Sequence, residues 1–319
     1  MPAEKYQLSI PPEFRGKRID QALKLLLPQH SRARIQSWIQ AGHIRINGQP
    51  VRQSQHLVGN ETVDVDAYYE HRDETWEKNP IPLNVVYEDD QIIILNKPAG
   101  LVVHPGAGNS QHTLANALLY RYPELEQVPR AGIVQRLDKD TTGLMVIART
   151  PVAHTFLVDQ LQKRHIKREY QAIVNGTLTA GGTIDAPIGR HKVQRKRMAV
   201  NDSGKSAVTH YRIIKKFPAH TLVRVQLESG RTHQIRVHMA HIGHPVVGDP
   251  QYGGRPRLPK NSTESLRKCL QTFPRQALHA SKLELRHPQT GDSMNWEIPL
   301  PEDMQTLIME LEKHDNRTG

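Results

Sequence analysis

Gly132-Ile133-Val134-Gln135-Arg136-Leu137-Asp138-Lys139-Asp140-Thr141-Thr142-Gly143-Leu144-Met145-Val146-Ile147-Ala148 sets four charged side chains between two apolar runs. The runs read as strands and the charged centre as the loop joining them. Such a loop presents Arg136, Asp138, Lys139 and Asp140 at its tip, where a rigid scaffold can aim them at a ligand. An Asp-rich turn with no chemistry has the same composition. What surrounds this stretch decides between the two.

Upstream, Gln91-Ile92-Ile93-Ile94-Leu95-Asn96 is a short apolar strand that stops at the turn Lys97-Pro98-Ala99-Gly100. Downstream, Thr150-Pro151 opens a helix through Phe156, Leu157 and Leu161, and Lys167-Arg168-Glu169-Tyr170 opens another apolar strand. Many short strands joined by loops predict an α+β fold, with a mixed, largely antiparallel sheet and flanking helices. Met304 to Lys313 reads as a last amphipathic helix, followed by a loose tail.

The chain has 319 residues, 43 Lys and Arg against 32 Asp and Glu, and a net charge of +11. That length suggests about two domains. No apolar stretch approaches the roughly 18 residues a membrane-spanning helix needs. The N-terminus lacks a basic head followed by an apolar run. Together with the single cysteine, Cys269, this points to a reducing cytosol and a cytoplasmic protein. The charge is clustered. Arg15 to Arg52 carries eight basic residues and one acid, Asn60 to Asp90 carries ten acids, and Gln160 to Lys216 carries thirteen basic residues. Two basic clusters favour a polyanionic partner, and nucleic acid is the commonest one in a cytosol.

The N-terminal segment reads as a module of two helices and a hairpin. Ile19, Ala22, Leu23, Leu26 and Leu27 recur at helical spacing up to Pro28. Ser31 can cap a second helix, which carries Ile35, Trp38 and Ile39 on one face and ends at Gly42. Asn47-Gly48 between short β-like runs is a hairpin signal, because both residues tolerate positive φ. With Ser31-Arg32-Ala33-Arg34, this segment resembles the S4 RNA-binding domain. The resemblance makes Arg18, Arg32 and Arg34 its RNA contacts. The expected organisation is an S4-like module over 1–66 with its core at 18–66, an acidic linker over 67–82, and a catalytic domain over 83–319.

Four patterns follow one another in the second segment: Arg136-Leu137-Asp138, Arg168-Glu169-Tyr170, Gly230-Arg231-Thr232-His233-Gln234-Ile235-Arg236-Val237-His238, and Gly248-Asp249 with Tyr252-Gly253. In this order they resemble the RluA family of RNA pseudouridine synthases, from about Pro80 to Pro301. The resemblance implies the pseudouridine synthase fold and the isomerisation of uridine in large-subunit (23S) ribosomal RNA, with the helix 69 stem-loop as target. It implies a role in large-subunit maturation, with the enzyme acting as a monomer on a pre-large-subunit particle. Asp138 is then the nucleophile, Tyr170 stacks on the flipped uracil, Arg231 pairs with the Asp138 carboxylate, Arg136 fills the vacated stack, and Lys139 touches RNA. One departure is Gln135, where the family usually has His; an amide hydrogen-bonds but does not titrate.

Neither a cofactor nor a metal is expected. The loop His104-Pro105-Gly106-Ala107-Gly108 lacks the phosphate-loop pattern, and Ala199 stands where Gly204-Lys205-Ser206 would need an earlier glycine. His238, His241 and His244, with His233 nearby, have the spacing of metal ligands, but Gly243 and Pro245 break the helix around the third. Two functional classes therefore stand: an RNA isomerase, and a non-catalytic RNA-binding assembly factor on the same fold. Turnover of uridine-containing RNA separates them.

Overall fold

The computed structural model describes residues 4–28, 30, 32–67, 76–106, 111–191, 193–194 and 197–318. Ser31, expected as a cap, and residues 68–75 of the expected linker lie outside them, as do Ala107 and Gly108 of the glycine-containing loop.

The first unit runs β1 (Glu4–Ser9), α1 (Ile19–Leu26), α2 (Arg32–Gln40), β2 (Ile44–Ile46), β3 (Gln49–Pro50) and β4 (Thr62–Ala67). Its sheet has the order β1-β4-β2-β3, with every pair antiparallel. The β2–β3 turn holds Asn47 at φ 48° and Gly48 at φ 77°. Both are left-handed, which matches the twist of a two-residue hairpin. Ile19, Ala22 and Leu23 of α1 are buried with Ile35 and Trp38 of α2 in a core of their own. The apolar spacing of three and four residues puts each set on one helix face.

The second unit runs β5 (Val85–Glu88), β6 (Ile92–Lys97), α3 (Leu114–Arg121), β7 (Thr142–Ala148), α4 (Pro151–Gln162), β8 (Lys167–Asn175), β9 (Gly182–Asp185), β10 (Ile188–Arg190), β11 (Met198–Val200), β12 (Val208–Lys216), β13 (His220–Leu227), α5 (Gln234–His241), α6 (Glu264–Thr272), β14 (Leu278–Arg286), β15 (Ser293–Glu297) and α7 (Glu302–Thr318). The main sheet is β5-β6-β7-β14-β8-β13-β12-β9, with β15 beside β14. The β7–β14 pair is parallel and its neighbours are antiparallel, so the fold is α+β with a mixed sheet. β7 is buried along its whole length. A strand covered on both faces reads as an unbroken apolar run, as Leu144 to Ala148 does. The late strand β14 inserts between β7 and β8. It thereby brings the C-terminal part of the chain against the loop that ends in β7.

Three local expectations change. Ile133 and Val134 are not a strand, since Ile133 makes only an isolated bridge to Ile147. Gly132 before them sits at φ 76°, where a Cβ would lie 2.0 Å from the Ala148 carbonyl oxygen, so the chain turns instead of extending. The last helix does not fray after His314. It continues to Thr318, with Leu311 and His314 buried and Glu312 paired with Lys215 at 2.7 Å. The end of the expected linker is docked: Trp76 meets the His104 ring, Lys78 pairs with Glu126 at 2.7 Å, and the Asn79 N–H donates to the Asn116 carbonyl.

Candidate active site

Asp138 lies in the turn before β7. The Thr141 N–H donates to its carbonyl at 3.0 Å and closes the turn. Three side chains hold this turn from behind. Lys97 Nζ donates to the Lys139 carbonyl at 2.8 Å, Arg275 Nη1 to the Asp140 carbonyl at 3.3 Å, and Gln276 Nε2 to Thr141 Oγ1 at 3.0 Å. Lys97 is buried and also donates to the carbonyls of Pro98 and Leu101. Burial pushes its ammonium down to about 7, with Asp140 and Asp138 partly restoring it. Arg275 is fixed in turn by a two-pronged pair with Asp303 of α7, at 2.7 and 2.8 Å.

A cavity of about 840 Å³ opens over this turn. Asp138, Tyr170, Arg136, Lys139 and Arg231 all line it, so the structure gathers every residue expected in the catalytic site. Their contacts differ from the expectation at one point. The partner of Asp138 is Arg236, not Arg231. Arg236 Nη1 donates to Asp138 Oδ2 at 2.9 Å. Arg231 is exposed, and its Nε donates to the Ser206 carbonyl at 3.1 Å. The reason is local geometry. Arg231 precedes α5 on the loop, whereas Arg236 lies on the buried face of α5 and points into the domain.

Arg236 is itself held. Its Nε and Nη2 donate to Asp249 Oδ2 and Oδ1 at 2.6 and 2.9 Å. Burial works against its charge, but the two carboxylates outweigh that and raise its pKa above the usual arginine value. Asp249 also accepts the N–H groups of Gln251 and Tyr252. The Gly-Asp…Tyr-Gly pattern thus locks the arginine that grips Asp138. Gly248 in that pattern has φ 71°, and a Cβ there would stand 2.2 Å from the Arg275 carbonyl oxygen.

His233 brings a ring nitrogen to 3.9 Å from Asp138 Oδ1 and hydrogen-bonds Tyr252 through Nδ1 at 2.9 Å. Burial lowers its pKa, against the pull of Asp138. From the sequence alone, Lys97, Arg236, Asp249 and Tyr252 had no part in this site, and His233 stood only as a neighbour of candidate metal ligands. Four of these lie inside patterns already singled out, and an Arg set directly between the apolar Ile235 and Val237 was the available signal for Arg236.

Tyr170 is 6% exposed on β8, and burial raises its hydroxyl pKa. Arg136 is exposed and reaches across to Thr232 Oγ1 at 3.0 Å. Gln135 is buried in the same wall, and its Oε1 has no partner among the described residues. His238, considered as a metal ligand, uses both ring nitrogens otherwise: Nδ1 meets Thr209 Oγ1 and Nε2 the Ala186 carbonyl. In the N-terminal unit, Arg18 and Arg32 both bind the carboxylate of Asp20, and Arg34 lies on α2 with Arg32.

A carboxylate on an arginine–carboxylate relay, under an aromatic wall and inside an arginine-rimmed cavity, suits attack on a sugar carbon of a polyanion. The RNA pseudouridylate synthase family matches residues 91–241 and the S4 domain matches residues 17–63. The chain belongs to the RNA pseudouridine synthases and is an isomerase. The Ribosomal large subunit pseudouridine synthase D of Pseudomonas aeruginosa is 56% identical over 299 residues, covering 94% of this chain and 93% of that one. Its namesake in Escherichia coli K12 is 55% identical, covering 92% and 90%. Among solved structures, Human RNA Pseudouridylate Synthase Domain Containing 4 superposes with a TM-score of 0.56 at 26% identity, covering 72% of this chain and 93% of that chain.

Proposed function

We propose that the protein converts specific uridines of large-subunit (23S) ribosomal RNA to pseudouridine, with Asp138 as nucleophile. The Asp138–Arg236 contact at the cavity floor, beside Tyr170, carries this reading. The relatives named for the ribosomal large subunit support the choice of RNA. The proposed target is the helix 69 stem-loop in a pre-large-subunit particle, and the modification serves subunit maturation in the cytoplasm. Among the described residues no helix is long and apolar enough to cross a membrane.

The chemistry balances without a redox partner. The C1′–N1 bond breaks, the uracil turns, a C1′–C5 bond forms, C5 loses a proton and N1 gains one. The uridine must first leave its stack, at a cost of about a few kcal/mol. Arg136 at the cavity mouth is placed to fill the gap. Tyr170 offers a flat ring face to the base. Asp138 bonds to C1′ as the C1′–N1 bond breaks, and its carboxylate is released when C5 bonds to C1′.

Asp138→Asn tests the assignment, because the amide keeps the shape and cannot act as nucleophile. Single-turnover assays on a rRNA transcript should show no product, and filter binding should give near wild-type affinity. Turnover by this variant would remove Asp138 from the role. Mapping pseudouridines in rRNA from a deletion strain, with and without the gene restored, tests the target.

A further inference from the structure

The N-terminal unit holds a second charge cluster, on a different core from the catalytic cavity. Asp20, in the first turn of α1, is 0% exposed. Its Oδ1 accepts Arg18 Nε at 3.1 Å. Its Oδ2 accepts Arg18 Nη2 at 3.2 Å, Arg32 Nε at 3.0 Å, Arg32 Nη2 at 2.7 Å and Gln36 Nε2 at 2.6 Å. Arg18 Nη2 also donates to the Gln53 carbonyl, and Gln53 Nε2 donates to the Gln36 carbonyl. The network therefore closes on itself. The two arginine side chains remain 36% and 45% exposed. Among the described residues the Nη1 group of each has no partner.

A buried carboxylate is an odd choice on a surface meant for a polyanion, because its charge repels phosphate. Its benefit is geometric. A free surface arginine loses rotamer freedom when it binds, and fixing it beforehand removes that loss. We propose that Asp20 is a positioning residue that holds Arg18 and Arg32 as a paired clamp for one backbone phosphate of the RNA. This rests on the proposed reading of the N-terminal module as a grip on ribosomal RNA. The pair with its carboxylate keeps a net charge of +1, and each exposed guanidinium edge presents donors suited to a phosphate oxygen.

The two effects of Asp20 have opposite signs, which makes the test decisive. Asp20→Asn removes a negative charge, so electrostatics alone predicts tighter binding. Loss of the clamp predicts weaker binding. Binding of the full-length protein to an in vitro transcript of large-subunit rRNA is measured by filter retention from about 50 to about 300 mM KCl. The clamp predicts about tenfold weaker binding for Asp20→Asn and a salt slope shallower by about one unit. Arg18→Ala and Arg32→Ala should each lower the slope by about one unit, and adding Asp20→Asn to the double arginine variant should no longer weaken binding. Binding by Asp20→Asn that equals or exceeds wild type, with the arginine variants weakened, overturns the positioning role and leaves the RNA grip standing. Arginine variants with an unmoved slope overturn both. A thermal melt reports whether Asp20→Asn folds. If it does not, Gln36→Met decides, since it removes one strut and no charge. A loss of about threefold supports the clamp, and unchanged affinity overturns it.

Discussion

Asp138 depends on a single guanidinium that two carboxylates share. Arg236 is nearly buried between Asp138 and Asp249, so its removal leaves Asp249 buried without a counter-charge. Arg236→Ala should destabilise the fold by about 3–5 kcal/mol and abolish turnover. Arg236→Lys keeps the charge but loses the fork that binds Asp249 through two nitrogens, and should lower the single-turnover rate by about 10²-fold or more. Arg231→Ala removes only an exposed side chain bonded to a carbonyl, and should stay within about tenfold of wild type. Denaturant titrations and single-turnover rates on the same RNA rank the three. A rate for Arg231→Ala as low as that of Arg236→Lys would contradict the arrangement.

The turn that carries Asp138 is only as firm as the elements behind it. Gly143, the second residue of β7, has φ 118°, and a Cβ there would meet the Ala280 carbonyl oxygen at 2.3 Å and its nitrogen at 2.5 Å. Gly143→Ala should push β7 away from β14, at a cost of about 3 kcal/mol or more, and slow catalysis as the turn loses its anchor. A melting temperature within a degree or so of wild type would show that the parallel pair can relax. Lys97 supports the same turn and gives it a pH signature. Its folded pKa of about 7 lies below its ordinary 10.5, so between these values the folded chain holds fewer protons than the unfolded one. Stability contributed by this site must then rise with pH across that window. Urea titrations of wild type and Lys97→Met at pH 7, 8 and 9 should show the difference moving in favour of wild type as pH rises. A constant difference would mean that Lys97 titrates alike in both states.

Over the whole molecule, charge and chemistry are separated. The +11 net charge lies in basic clusters, one around α1 and α2 and one from Gln160 to Lys216, whereas the groups proposed to react form one compact relay. Affinity for RNA should therefore fall steeply with salt, while the single-turnover rate at saturating enzyme changes little. Measuring both from about 50 to 300 mM KCl tests this separation. A rate that falls in step with affinity would mean that phosphate contacts also shape the cavity.

Fold class, the two helices and hairpin of the first module, and the four patterns around the cavity were all legible in the chain. Each is a local property: apolar spacing picks a helix face, Asn-Gly selects a hairpin turn, and a run such as Ile92 to Leu95 can only be buried. Asp138, Tyr170 and Arg136 lie within such patterns, and the cavity gathers them. Which arginine meets Asp138 was not legible. Arg231 and Arg236 stand five residues apart in one pattern, and their order says nothing about direction. The α5 helix decides it by turning Arg236 inward onto Asp249 and leaving Arg231 on its approach. Support from Lys97, Arg275 and Asp303 was hidden for the same reason. These residues are about 40 to 165 positions from Asp138 in sequence. They reach it only because β6 and β14 flank β7 and α7 packs behind, an arrangement set by long-range burial and hydrogen bonding that no local spacing encodes.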